Sequence, residues 1–255
     1  MSSKKGKTEI VIPKNVLRKP ARFWDATAAI DVDEVVLKFT AGLQGYVQKA
    51  LDNEGTGRKV NLLASTTYYY HADPETGLTR DEEGFYIREF FASREFGSLA
   101  FCDGAKQGIA VLKKSGIQPL FITNVPGAMD TSGDQHQPYS WGTAQRLRLK
   151  QLSEAGLVSV PEDVIFCSAH RKPVEMTEKL LRVPILVDDR PSTLVTASED
   201  YGLIAIGIRT NQTRYNQRNH EGIVWFNSLA EAVPYIRAIF KKLAQLGLLK
   251  TSTAR

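Results

Sequence analysis

The chain has 255 residues, 42% of them hydrophobic and 24% charged, with a formal net charge of +5 and a pI near 9.1. This balance is ordinary for a soluble globular protein and is long enough for one large domain carrying a smaller insert. It excludes a membrane-spanning chain, because no apolar run is long enough to cross a bilayer, and the start lacks the apolar core of a secretory signal.

The two cysteines, Cys102 and Cys167, each sit in apolar surroundings and read as buried free thiols rather than a disulfide or a zinc site. A reduced, cytoplasmic setting is therefore expected. Much of the basic excess lies at the ends, in Lys4, Lys5, Lys7, Lys14, Arg18, Lys19 and Arg22, and in Lys241, Lys242, Lys250 and Arg255. Residues 1–24 read as a basic, solvated arm, with a nucleic-acid arm as the rival reading.

In chain order, residues 28–36 (AAIDVDEVV) open with small and apolar residues, as a buried strand does, and then carry Asp31 and Asp33 one residue apart. Two acids directly after a buried strand serve no folding need, and as the strand ends they can diverge. Residues 37–51 read as an amphipathic helix, 60–70 as a strand, 71–77 as a loop, and 81–94 as a second helix. Residues 37–101 lack the strand–helix rhythm seen later and read as a small, mostly helical cap insert. The core domain is then residues 25–36 and 102–255.

From residue 103 the rhythm is regular. Helices are predicted at 104–115, 139–154, 174–182, 191–201 and 229–246, the last despite Pro234. Strands are predicted at 119–124, 164–167, 183–187, 203–208 and 223–226, with a Gly-, Asp- and Gln-rich loop at 125–138. This alternation argues for an α/β fold, a doubly wound parallel sheet covered on both faces. Such sheets bind ligands beyond the carboxyl ends of their strands. Asp31 and Asp33, Thr123 and Asn124, Lys172, and Asp188 and Asp189 all fall just after predicted strands.

If those ends converge, several carboxylates crowd together and need a counter-charge. A hard divalent cation such as Mg²⁺ supplies it through oxygen ligands and leaves room for water and phosphate. Lys172 adds a second positive charge, and a carboxylate is a competent nucleophile toward phosphorus.

The motifs in this order resemble the haloacid dehalogenase-like hydrolase superfamily, over residues 30–193. The resemblance implies a Rossmann-like core with a cap after the first strand. It implies Asp31 as nucleophile, Asp33 as general acid and base, Thr123 as a phosphate ligand, and Lys172 as the lysine steadying nucleophile and phosphate. Asp31, Asp33, Asp188 and Asp189 would hold Mg²⁺, and Asn124 either contacts phosphate or caps a turn. Lys179 is the rival site lysine. Within the superfamily, the ILVDDRP stretch at 185–191 is similar to 5'(3')-deoxyribonucleotidases, which implies a nucleoside monophosphate substrate. Glu34 stands where that group usually has Gly, so either the loop differs or an extra carboxylate faces the site.

Two competing readings keep the fold: a phosphatase acting on a polynucleotide terminal phosphate held by the basic ends, and an inactive binding module. Tyr68, Tyr69, Tyr70, Phe90 and Phe91 form either a stacking face for a base or the core of the insert. Arg190 is expected to brace a loop or pair with a carboxylate. His71, His136, His170 and His220 show no metal-ligand spacing.

Overall fold

Short apolar runs that alternate between two faces build the centre of the molecule. The structure, a computed structural model, describes residues 10, 12–125, 140–178, 182–210 and 222–250. Its strands are β1 (Thr27–Asp31), β2 (Gln118–Thr123), β3 (Val164–Phe166), β4 (Ile185–Asp188), β5 (Ile204–Ile208) and β6 (Ile223–Phe226). All pair in parallel, in the order β3-β2-β1-β4-β5-β6. The chain runs outward from β1 to β3 and then returns to β1's other side at β4. The strand order therefore switches at β1, whose carboxyl end is where a ligand crevice opens.

The strand residues sort by parity. Ala28, Ile30, Phe121, Ile185, Val187, Ile204 and Ile206 join one core cluster, while Ala29, Ile122, Leu186 and Ala205 join the other. Helices α4 (Ala105–Lys114) and α8 (Leu229–Gln245) cover the first face. Helices α6 (Lys172–Glu178) and α7 (Pro191–Glu199) cover the second, through Met176, Leu194 and Ala197. Asp31 continues the parity of Ala29, and Asp188 that of Leu186, so both project to the face where α6 begins. Ile30 pairs with Val187, so the next step in register sets Asp31 beside Asp188.

The segment between β1 and α4 holds α2 (Phe39–Asn53) and α3 (Arg80–Ala92), joined by short single-turn helices. Leu43, Val47 and Leu51 give α2 a buried stripe at helical spacing. Thr79 and Glu82 cap α3 reciprocally. Phe39, Phe90, Phe91 and Phe96 pack edge-on or tilted, with ring centroids 4.9–6.4 Å apart. Phe90 and Tyr70 are buried, so they are core; Tyr69 is 59% exposed. Helix α5 (Ser140–Glu154) lies against this segment, and Gln151 donates to the Leu99 carbonyl at 2.7 Å.

Several expectations change. Residues 60–70 are not a strand. Side chains take up their backbone groups instead: Val60 N–H and Leu63 N–H donate to Gln48 and Gln44, and Thr66 N–H to Asp73. An apolar, Thr- and Tyr-rich run has no edge to pair with once α2 and a turn have satisfied it. The basic arm is partly structural: α1 (Lys14–Leu17) buries Val16, and Trp24 is buried with its indole N–H on the Val16 carbonyl. Helix α6 starts at Lys172 rather than 174. Both cysteines are free thiols; Cys167 is buried and Cys102 half-buried. Lys4, Lys5, Lys7, His136, Lys179, His220, Arg255 and most of the expected 125–138 loop lie outside the described residues. Among the described residues no helix is long and apolar enough to cross a membrane.

Gly207 on β5 pairs with Asp188 and leaves space that the Trp225 ring of β6 fills. A methyl group at Gly207 would fall inside that ring. Gly207→Ala is expected to destabilise by roughly 1–3 kcal/mol through overpacking and to lower the melting temperature by about 2–10 °C. An unchanged thermal transition would show that β6 is not seated on β5 as described.

Candidate active site

The end of β1 delivers Asp31 to a dry place. Asp31 is 4% exposed. One carboxylate oxygen accepts from the Val32 N–H at 2.7 Å, and the other lies 2.6 Å from Lys172 Nζ. Lys172, at the first turn of α6, also donates to Asp188 at 2.8 Å. The second Asp188 oxygen accepts from the Arg190 N–H at 2.7 Å. Asp189, next in the chain, has its carbonyl held by the Tyr68 hydroxyl at 2.7 Å, while the same hydroxyl is 3.4 Å from its carboxylate. One oxygen each from Asp31, Asp188 and Asp189 come within 4.8 Å of one another.

Asp33 goes elsewhere. The turn after β1, closed by the N–H groups of Val36 and Leu37 on the Val32 carbonyl, swings it away from Asp31. One Asp33 oxygen meets Arg148 Nη2 at 2.5 Å, and the other lies 3.4 Å from the Thr123 hydroxyl. Its carboxylate lies outside the group formed by Asp31, Asp188 and Asp189. Thr123 is fully buried on Asp33, whereas Asn124 lines the cavity.

Electrostatics follow burial. Desolvation pushes the Asp31 carboxyl up to about 8 against the pull of Lys172. It raises Asp33 against the pull of Arg148. It also raises Asp189, further lifted by Asp188 and Asp31. Burial alone would lower Lys172, but Asp188 and Asp31 outweigh it and hold the ammonium above the usual lysine range. Three carboxylates, Asp31, Asp188 and Asp189, come together around a single buried ammonium, that of Lys172. Such an all-oxygen donor set suits a hard divalent cation.

Arg148 escaped the sequence, and the partners of Tyr68 and Glu34 became visible only in the fold. Arg148 is fully buried, with its guanidinium 4.3 Å from the Phe96 ring centre. Its signal was phase: Ala144, Arg148, Gln151 and Leu152 share the buried face of α5, and an arginine there demands a partner. Tyr68 grips the Asp189 loop from the insert, with Arg190 over its ring at 5.2 Å. Glu34 takes a left-handed φ of 60°, a strain of roughly 1–2 kcal/mol for a side chain. Its carboxylate accepts from the Thr40 N–H at the start of α2, where Lys38 offers no side-chain cap. That contact offsets about 1 kcal/mol and leaves the acid lining the cavity.

The cavity over the site measures about 400 Å³. Asp31, Lys172 and Asp189 lie along it together with Phe39, Tyr69, Ile87 and Phe91 from the insert. His71 is tied to Glu83 at 2.7 Å, and His170 sits 3.4 Å from the Ser168 hydroxyl. Neither joins the acidic group.

No protein-family profile matches the sequence, and no curated protein does. Solved structures do match in fold. A HAD family hydrolase from Deinococcus radiodurans R1, holding phosphate and sodium, aligns over 90% of this chain and 99% of its own, at 14% identity and a TM-score of 0.53. A haloacid dehalogenase-like hydrolase from Streptococcus pneumoniae aligns over 83% and 98%, at 11% identity and 0.54. A predicted phosphatase from Clostridium acetobutylicum aligns over 86% and 99%, at 14% identity and 0.53. The fold is that of the haloacid dehalogenase-like hydrolases.

With its carboxyl raised to about 8, Asp31 in the cation-free folded chain keeps a proton that it loses in the unfolded chain between about pH 4 and pH 8. Asp31 thus contributes a loss of stability as pH rises through that window. In chelator, Asp31→Asn is expected to fall less steeply in melting temperature than wild type from pH 5 to pH 8. Magnesium should stabilise wild type at pH 8 and the variant little. Parallel pH curves for the two proteins would contradict this placement of Asp31.

Proposed function

We propose that the chain is a Mg²⁺-dependent phosphomonoesterase working through an aspartyl-phosphate. One observation carries the reading: Lys172 Nζ sits between Asp31 and Asp188 at the sheet's switch point, beside a three-carboxylate group. The phosphate and sodium in the Deinococcus structure are an anion and a cation of the kinds this site would take.

Asp31, Asp188 and Asp189 would hold Mg²⁺, which when bound shields the charge of the phosphoryl oxygens and orients them. The chain's own groups do the rest. The Val32 N–H and Lys172 fix the Asp31 carboxylate, and Lys172 is close enough to share its charge with a phosphoryl oxygen. An Asp31 oxygen attacks phosphorus as the bond to the ester oxygen breaks, and Asp33 gives its proton to that leaving oxygen. A water then attacks the phosphorus of the aspartyl-phosphate. It loses its proton to Asp33, and the bond to Asp31 breaks, freeing inorganic phosphate.

Asn124, on the cavity wall, is the phosphate contact of choice, with Thr123 acting on Asp33 instead. Residues 37–101 serve as the cap over the site. A nucleoside monophosphate is the substrate class we favour, its base lying against Tyr69 and Phe91.

Wild type is expected to hydrolyse an aryl phosphate and a panel of nucleoside monophosphates with magnesium and not in chelator. Asp31→Asn should lose on the order of 10³-fold or more in turnover, about 4 kcal/mol of barrier. Wild-type turnover in that variant would remove the covalent route; no hydrolysis by wild type across the panel would favour a binding module.

A further inference from the structure

Arg148 is the most heavily buried charged group that the proposed chemistry does not use. It is 0% exposed, and among the described residues its Nε and Nη1 have no hydrogen-bond partner. Only Nη2 is engaged, by Asp33. The rest of the guanidinium lies on the Phe96 ring. An apolar side chain of similar volume at this point of α5 would fold more cheaply, so the charge calls for another reason.

Asp33 supplies it. The Thr123 hydroxyl, at 3.4 Å, is a long contact, so Arg148 is the main anchor of the Asp33 carboxylate. Lys172 is the competing attraction, a cation buried on the opposite side of the same strand end. We propose that Arg148 is the positioning residue for Asp33. Its guanidinium holds the carboxylate away from Lys172 and toward the leaving oxygen of the ester. Phe96 below and Gln151, one turn on and bonded to the Leu99 carbonyl, tie that anchor to the chain returning from the insert. Arg148 lies behind Asp33, not along the cavity, so it acts through the acid and touches no substrate.

This rests on the phosphomonoesterase reading, and the test separates the two. A general acid matters most for a poor leaving group. The ratio kcat/KM covers steps up to ester cleavage, so it isolates the proton delivered to the leaving oxygen. Wild type, Arg148→Met, Arg148→Lys, Asp33→Asn and the Arg148→Met/Asp33→Asn double variant are assayed with p-nitrophenyl phosphate and with a simple alkyl phosphate.

Arg148→Met should lose about 30-fold or more in kcat/KM on the alkyl ester and less than about 3-fold on the aryl ester. Arg148→Lys should recover most of the alkyl loss, and the double variant should be no worse than Asp33→Asn alone. Equal losses on both esters, or losses that multiply in the double variant, would overturn the proposal. If Arg148→Met fails to fold, Arg148→Lys decides: a small loss confined to the alkyl ester supports the anchor, and an equal loss on both esters sinks it. Wild type inert toward both esters, or full turnover by Asp31→Asn, would bring down the phosphomonoesterase reading and this proposal with it. An inert Asp31→Asn beside an Arg148→Met without ester preference would bring down this proposal alone.

Discussion

One buried ammonium organises the site. Lys172 sits between Asp31 and Asp188, within 2.8 Å of each, at 2% exposure. Ionised carboxylates on neighbouring strands in a dry crevice would repel one another by several kcal/mol. The lysine makes their close approach tolerable, and the β1–β4 register makes it unavoidable. Such a pair cannot be loosened cheaply, because removing either partner strands a buried charge. The rigidity of the Asp31 carboxylate is thus a by-product of charge compensation.

The sheet divides the acids by face and by partner. Parity sends Asp31 and Asp188 to the α6 face, and the turn after β1 sends Asp33 to Thr123 and Arg148. Asp31 and Asp188 then share Lys172 while Asp33 has Arg148, so the residues proposed as nucleophile and as proton carrier are kept apart. The insert touches both sides: Tyr68 holds the Asp189 loop, and Phe96 underlies Arg148. Movement of the insert would therefore be felt at both carboxylates without any direct contact with substrate.

Much of this was legible because local pattern and global fold agree. The strand runs of β2, β4, β5 and β6 are short, apolar and bounded, and the candidate site residues follow β1, β2, β3 and β4. What was not legible depended on long-range partners. Residues 60–70 have strand-like composition, but Gln44 and Gln48 of α2 satisfy their backbone first. Arg148 stands in an alternating run of Arg, Leu and Lys, and only the helical phase of α5 marks it as inward. Trp24 and Val16 were hidden by the lysines and arginines around them. Glu34 was legible in half: its conflict with a left-handed turn could be read from the residue, while its role as the remote cap of α2 needed the fold.

The central claim is that Asp31 carries the phosphoryl group. The most direct measurement is peptide mass analysis of the chain quenched in acid during turnover of an aryl phosphate with magnesium. The account predicts one phosphoryl group on the peptide containing Asp31, lost on treatment with hydroxylamine as an acyl phosphate is. Steady turnover with no adduct, or an adduct on a histidine or serine, would contradict it.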